Sequence, residues 1–223
     1  MGKPILYYAT ISPCSRTVLL TAKAIGLELD LRPISMFKRE HTTPEFIQMN
    51  PLRNIPLLND NGAYIADSHV ICAYLVDKYA NNDALYPKDP LKRATVDSRM
   101  YFDAGFLFAR LRFLYEPIAF GDVPEQAADK VEYASRPLGI TEALLKDEPY
   151  ICGDHLTIAD FCCIATISSL IEPVAPEKNK YPRISAWMER LAELPYYEDA
   201  NQFGADEFKQ MVRNRLAENR AKA

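Results

Sequence analysis

Two kinds of hydrophobic pattern divide the chain. In the first part, short apolar runs alternate with segments whose apolar residues recur at helical spacing. From residue 91 onward, the apolar positions follow a helical period only. The first pattern predicts strands and helices around one sheet, and the second predicts helices packed on one another.

The first part predicts the order β-α-β-α-β-β-α, which buries a mixed sheet against helices. Strands are expected at residues 5–9, 29–34, 55–58 and 63–65. Asn61-Gly62 between the last two strands is a strong hairpin signal. The helices are expected to begin at three capping pairs, Ser12-Pro13, Thr43-Pro44 and Asp67-Ser68.

A proline-containing linker at residues 81–90 separates this first domain, residues 1–80, from a second one at residues 91–223. Helices of the second domain are expected at residues 91–120, 131–145 and 158–171. Thr157 and Asp160 have the spacing of a capping box, for which we expect a structural role. The sequence therefore predicts an α/β domain followed by an all-α helical bundle.

Composition excludes several classes of function. The net charge is −4, and the one basic cluster, Lys38-Arg39, is short, so a nucleic-acid partner is not expected. The first apolar run is too short for a signal peptide or a membrane span, which predicts a cytoplasmic protein without membrane attachment. The five cysteines lack both disulfide-framework and zinc-ligand spacing, so we expect reduced thiols and no metal.

Ser12 is the first candidate for chemistry. A hydroxyl at a helix start lies where unpaired N–H groups and the helix dipole favour an anion. A thiolate is one such anion, because a hydrogen bond to the charged form lowers a thiol pKa. The alternative is that Ser12 only caps the helix, as many serines do.

Ile55-Pro56 is the second candidate. A proline that opens an apolar strand after a loop can hold a cis bond that turns the backbone outward. The backbone at Ile55 would then be free to pair with a peptide-like ligand as an added strand. Pro56 is equally well explained as an ordinary edge-strand proline.

Four polar residues of the first domain can each be interpreted in two ways. Asp67-Ser68 is either an ordinary cap or a holder of a ligand's ammonium and carboxylate. His69, in the first helical turn, fits a packing or network role better than a catalytic one. His41, in a polar loop, is either solvated or close to an anionic ligand end.

Together these residues resemble the cytosolic glutathione transferases, especially the insect epsilon class, which is close to delta. The resemblance covers nearly the whole chain, and the joint order of its motifs is highly specific. The motifs are Ser12-Pro13, Asn50-Pro51, Ile55-Pro56, Asp67-Ser68-His69, Leu85-Tyr86-Pro87, Leu156-Thr157-Ile158-Ala159-Asp160, Tyr181-Pro182-Arg183 and Leu194-Pro195-Tyr196-Tyr197.

The resemblance implies a thioredoxin-like first domain that binds glutathione as co-substrate. It assigns Ser12 as the hydroxyl bonded to the glutathione sulfur, and Ile55, before a cis Pro56, as the backbone partner of the cysteinyl part. Asp67 and Ser68, next to His69, would hold the γ-glutamyl end. His41 would lie near the glycyl carboxylate.

The resemblance also implies a homodimer whose helical domain shapes a hydrophobic substrate pocket. The pocket residues expected by position are Pro13, Met36, Phe108, Leu111, Arg112, Tyr115 and Phe120. Phe108 and Leu111 are equally well explained as core residues at helical spacing.

Two positions depart from the epsilon pattern. Arg53 replaces the usual histidine before the cis proline, and its permanent charge can still meet a carboxylate, which predicts altered rather than lost glutathione affinity. Cys14 stands where many relatives have a proline or another residue, and a thiol in the first turn of a helix can have a depressed pKa.

Conjugation of the glutathione thiolate to small hydrophobic electrophiles, a detoxification reaction, is the function expected first. The same thiolate could eliminate HCl from chlorinated insecticides or reduce peroxides. A thiol–disulfide oxidoreductase using Cys14 is one competing hypothesis, although the chain has no Cys-x-x-Cys motif. A carrier that binds apolar ligands without turnover is the other.

Overall fold

The computed structural model describes residues 2–223. A four-stranded sheet in the order β2-β1-β3-β4 forms the centre of the first domain. β2 runs parallel to β1, whereas the other two pairs are antiparallel. The strands are β1 Ile5–Tyr8, β2 Asp30–Pro33, β3 Leu57–Asp60 and β4 Ala63–Ala66.

The helices begin where capping residues predict them in the first domain. These are α1 Pro13–Ala24, α2 Pro44–Met49 and α3 Ser68–Tyr79. The second domain is entirely helical apart from its connections, with α4 Pro90–Phe102, α5 Phe108–Ala119, α6 Ala128–Leu145, α7 Ile158–Ile167, α8 Pro182–Ala192 and α9 Phe203–Lys222. The predicted fold class is therefore confirmed.

The structure corrects three predicted boundaries. The strand expected from residue 55 begins at Leu57, because Pro56 has no N–H to donate to the sheet. The helix expected over residues 91–120 is interrupted by a π-helical turn, Asp103–Leu107. The helix expected up to residue 171 ends at Ile167. Hydrophobic spacing predicted neither the π-helical turn nor the bounds of α8 and α9.

One continuous hydrophobic core joins the two domains. All residues of α7 are buried, and this helix packs directly on α1 of the first domain. The hydroxyl of Thr17 donates to the carbonyl of Phe161 across this contact (3.4 Å). Among the described residues, 2–223, no helix is long and apolar enough to cross a membrane.

Candidate active site

A cavity of about 510 Å³ lies where the first domain meets the helical domain. The structure brings together around it every site residue that the sequence predicts. Those from the first domain are Ser12, Pro13, Met36, His41, Arg53, Ile55, Pro56, Asp67, Ser68 and His69. Those from the second domain are Phe108, Leu111, Arg112, Tyr115 and Phe120.

Ser12 both caps α1 and lines the cavity. Its side-chain oxygen accepts a hydrogen bond from the backbone N–H of Ser15 (3.3 Å), and Pro13 occupies the first helical position. A hydroxyl that accepts one bond still has its own proton to donate. The two interpretations of Ser12 are therefore compatible, since the cap leaves the O–H available to an anion in the cavity.

A tight turn prepares the backbone at residue 55. The side-chain amide of Asn50 donates to the carbonyl of Asn54 (2.8 Å) and its oxygen accepts from the N–H of Leu52 (3.1 Å). The following Ile55–Pro56 peptide bond is cis, as expected. Within residues 2–223, the backbone N–H and carbonyl of Ile55 make no hydrogen bond, so both are free to pair with an extended ligand.

Asp67 forms the cap of α3 at a different edge of the cavity. One carboxylate oxygen, Oδ1, accepts from the backbone N–H groups of His69 (2.9 Å) and Val70 (3.3 Å). The hydrogen bond to the His69 ring lowers the pKa of Asp67 most, and the charge of that ring and the two backbone bonds lower it further. Its carboxylate is thus ionised and half exposed, a suitable partner for an ammonium group.

His69 is held by two carboxylates. Its Nε2 lies 2.9 Å from Oδ2 of Asp103, and its Nδ1 lies 3.4 Å from Oδ1 of Asp67. Burial of the ring opposes protonation, but the bonds and charges of these two aspartates outweigh it and raise the pKa of His69 to about 10. The ring is therefore an imidazolium that links α3 to the π-helical turn, the network role expected from the sequence.

His41 and Arg53 lie at the end of the cavity formed by the loops before and after α2. Nδ1 of His41 is buried and has no hydrogen-bond partner among the residues that the structure describes. Burial, together with the charge of Arg39, lowers the pKa of His41, so the ring is neutral. Arg53 has a left-handed backbone (φ 53°) and an exposed guanidinium. This end of the site offers one permanent positive charge and one unsatisfied ring nitrogen to an anion.

The helical domain supplies the apolar wall of the cavity, mainly from one face of α5. Leu111 is buried in the hydrophobic core and also lines the cavity, as does Phe108 at its edge, so the two interpretations of these residues are again compatible. At the outer end, Phe120 meets Phe37 of the first domain with ring centroids 5.3 Å apart. This contact bridges the domains beside the opening.

Arg112 does not present a free charge to the cavity. Its guanidinium pairs with Glu116 one helical turn later (2.7 Å). Both side chains are partly exposed, so the pair forms a polar rim on an otherwise apolar wall. The spacing of the two residues could have indicated this pair, because residues four apart face the same side of a helix.

Sequence patterns missed other residues around the cavity. Phe208 and Met211 of α9 contribute to its apolar lining. Local sequence provides no signal for them, because α9 lies at the far end of the chain and reaches the site only through tertiary packing.

The structure corrects the expectation for Cys14. Burial, reinforced by the negative charge of Asp103, raises the pKa of this thiol to about 12. Cys14 is therefore a neutral thiol rather than a reactive thiolate.

The fold and the site together define a class of protein: a thioredoxin-like domain joined to a helical domain, with a cavity between them that has a polar edge and an apolar wall. Two family models match the chain. Residues 11–78 match the glutathione S-transferase N-terminal domain, and residues 99–195 match the glutathione S-transferase C-terminal domain.

Known relatives are similar to this chain over almost its entire length. Glutathione S-transferase 1 of Manduca sexta is 36% identical over 95% of this chain and 98% of its own. An epsilon-class glutathione S-transferase structure from housefly superposes with a TM-score of 0.93 at 41% identity, covering 96% of this chain and 98% of its own.

A glutathione transferase homologue of Drosophila mojavensis, solved with bound glutathione, superposes with a TM-score of 0.94 at 44% identity, again covering 96% and 98% of the two chains. The chain therefore belongs to the glutathione S-transferase family and is an enzyme of that class. The expected resemblance to the epsilon class, with delta-class structures nearby, is confirmed.

Proposed function

We propose that this enzyme conjugates glutathione, through its sulfur, to small hydrophobic electrophiles and that Ser12 activates the thiol. The position of the Ser12 hydroxyl carries the proposal: it caps α1 and lines the cavity, and its O–H donates to no group within residues 2–223. A hydrogen bond donated to the sulfur, together with the dipole at the start of α1, stabilises the thiolate. The thiol proton leaves to solvent, the sulfur forms a bond to the electrophilic carbon, and the leaving group departs with its electron pair.

The polar edge of the cavity fits the remainder of glutathione. The ionised Asp67 is placed to accept the γ-glutamyl ammonium, and Ser68 with the first amides of α3 suits the neighbouring carboxylate. The unpaired backbone of Ile55 suits the cysteinyl amide. Arg53 and His41 suit the glycyl carboxylate, with Arg53 supplying the charge.

The apolar wall supports the choice of electrophile. Phe108, Leu111 and Tyr115 line the side opposite the polar edge, and the Phe37–Phe120 contact flanks its outer end. A hydrophobic ligand on this wall would lie beside the sulfur, and holding two reactants together in this way contributes strongly to rate. We assign residues 1–80 to glutathione binding and residues 91–223 to the substrate wall.

Replacement of Ser12 by alanine tests the proposal. We expect the rate of conjugation with chlorodinitrobenzene near neutral pH to fall about 10- to 100-fold, because the apparent thiol pKa should return toward about 8.5, its unperturbed value. The measurement is the initial rate against pH, with glutathione affinity determined by calorimetry.

Ser185→Ala is the matched control, since Ser185 lies in the first turn of α8, away from the cavity, and donates to the carbonyl of Tyr181 (3.0 Å). Its profile should match the wild type. An unchanged pH profile in Ser12→Ala would contradict the role of Ser12. Failure of the wild-type protein to bind glutathione at millimolar concentration would contradict the whole proposal.

The second substrate determines whether the enzyme catalyses conjugation, HCl elimination or peroxide reduction, since all three reactions use the same thiolate. A panel with one substrate of each kind distinguishes them. Glutathione binding without turnover on the entire panel would favour a carrier of apolar ligands instead. The raised pKa of Cys14 argues against thiol–disulfide exchange at that residue.

We also propose that the enzyme is a cytoplasmic homodimer. Large apolar side chains are exposed on β4, on α3 and near the end of α4, at Tyr64, Val70 and Tyr101. The His69–Asp103 contact brings the start of α3 to the end of α4, which places Val70 and Tyr101 close to the same junction. We call Tyr64, Val70 and Tyr101 the apolar face, and a second copy of this chain is its proposed partner.

A further inference from the structure

The start of α9 touches the backbone of the loop that carries Ser12. Gly204 is buried and helical, so it does not need glycine for its backbone conformation. A Cβ at this position would lie 2.9 Å from the carbonyl carbon of Thr10 and 2.9 Å from Cδ of Arg16, and closer still to the carbonyl oxygen of Thr10. Glycine is therefore required for space, because the neighbouring backbone cannot rotate away.

Two sets of hydrogen bonds reinforce this approach. The hydroxyl of Thr10 donates to Oε2 of Glu207, also in α9 (2.7 Å). Arg16 is only 1% exposed. Its Nε donates to Oδ1 of Asn201 (3.1 Å), and its Nη2 donates to the carbonyl of Ala165 (2.7 Å). Asn201 lies in the second π-helical turn, Glu198–Gln202, immediately before α9.

These contacts involve residues on both sides of Ser12 in the sequence. Thr10 lies two residues before it and Arg16 four residues after it. The backbone of Ser12 is tied to the same stretch, since its N–H donates to Ala9 (3.0 Å) and its carbonyl accepts from the N–H of Arg16 (3.0 Å). The first domain supplies the hydroxyl, but the helical domain fixes the backbone on both sides of it.

We propose that Asn201, Gly204 and Glu207, which we call the C-terminal clamp, position the Ser12 hydroxyl for the sulfur of glutathione. The clamp residues are positioning residues, because they act through Thr10 and Arg16 rather than on substrate. The inference rests on the proposed role of Ser12 and adds that the helical domain sets the acidity of the bound thiol. A hydroxyl displaced by a fraction of an ångström donates a weaker bond, and the thiol pKa rises.

Gly204→Ala tests the clamp. The added methyl group must push the loop at Thr10 away, so we expect the apparent pKa of the bound thiol to rise toward that of Ser12→Ala. The value of kcat/KM near pH 6.5 should fall on the order of tenfold, which is within the range seen for small displacements at active sites. Glutathione affinity should change little, because the proposed glutathione contacts Asp67, Ile55 and Arg53 lie in other elements than the clamp.

Gly139→Ala is the matched control. Gly139 is also helical, in α6, and a Cβ there would meet no atom within 4 Å. The same chemical change should therefore leave the pH profile at its wild-type position. A loss of activity without a shift of the thiol pKa would indicate a general structural effect and would count against the clamp.

Thr10→Val provides a second, milder variant in case Gly204→Ala does not fold, because the Thr10–Glu207 bond is exposed. It should shift the thiol pKa in the same direction by a smaller amount, and Thr10→Ser, which keeps the hydroxyl, should restore it. If Ser12→Ala shifts the pH–rate profile but neither Gly204→Ala nor Thr10→Val does when folded, the role of the clamp is overturned and the role of Ser12 is not. An unshifted Ser12→Ala would instead overturn the role of Ser12.

Discussion

At the scale of single residues, the site is built from groups that serve two purposes. Ser12 caps α1 and offers its proton to the cavity, and Asp67 caps α3 and offers its charge. Sequence signals find such residues because a cap has a local signature. The same signals cannot show which cap faces a cavity, since that depends on what packs opposite.

His69 gives a prediction for pH dependence. Its pKa is raised from an ordinary 6.5 to about 10, so the native state holds a proton that the unfolded state releases between these values. The resulting stabilisation is complete below about pH 6.5 and is lost as the pH rises through about 10. We expect His69→Gln to lose about 1.5–3 kcal/mol of unfolding free energy near pH 6.5, the usual range for a hydrogen bond to a charged group, and much less near pH 10.

Urea unfolding of wild type and His69→Gln at several pH values between 6.5 and 10 measures this difference. His155→Gln is the control, since its ring pairs with Asp154 on the surface. A difference between wild type and His69→Gln that stays constant with pH would show that the ring is not protonated in the folded protein.

At the scale of elements, the second domain shows where periodicity succeeds and fails. Spacing predicts a helix over residues 91–120, and α4 and α5 do lie there. It does not predict the π-helical turn Asp103–Leu107, because a single wide turn is shorter than the stretch of chain over which a helical period can be recognised. Yet that turn carries Asp103, the buried carboxylate that holds His69.

The start of α7 gives a second prediction. Asp160 completes the capping box with Thr157 (2.9 Å) and also accepts from the backbone of Ile151 (2.9 Å) and the indole of Trp187 (2.9 Å). An asparagine has one acceptor oxygen and would leave some of these buried donors unpaired. We expect Asp160→Asn to cost on the order of 3 kcal/mol of unfolding free energy.

The measurement is the midpoint of urea unfolding at one fixed protein concentration. Asp154→Asn, at an exposed carboxylate nearby, should leave the midpoint where it is in the wild type. A wild-type midpoint in Asp160→Asn would mean that the buried donors find other partners.

At the scale of the whole molecule, the two domains share one core and one cavity. The contact between α1 and α7 fixes their relative placement, and residues from both domains line the site. The three side chains of the proposed apolar face, by contrast, are exposed in the part of the chain that the structure describes, residues 2–223. Tyr101, at 76% exposure, is its most accessible member.

The proposed homodimer predicts a mass in solution of about twice the chain's 25.3 kDa. Tyr101→Asp should shift it toward the monomer, because a charge within an apolar interface is costly to bury. Light scattering at several concentrations measures the mass. Phe203→Asp, at an exposed apolar residue on α9, is the control and should remain dimeric. A wild-type monomer at all concentrations would refute the proposed partner.

The sequence alone determined the order of elements in the first domain, the helical nature of the second, and candidates such as Ser12, Ile55 and Asp67, since caps, turns and apolar spacing act between close neighbours in the chain. That Phe208 lines the cavity and that Gly204 abuts the loop of Ser12 became visible only in the folded chain. These contacts join the two ends of the chain, and packing across such distances leaves no local pattern in the sequence.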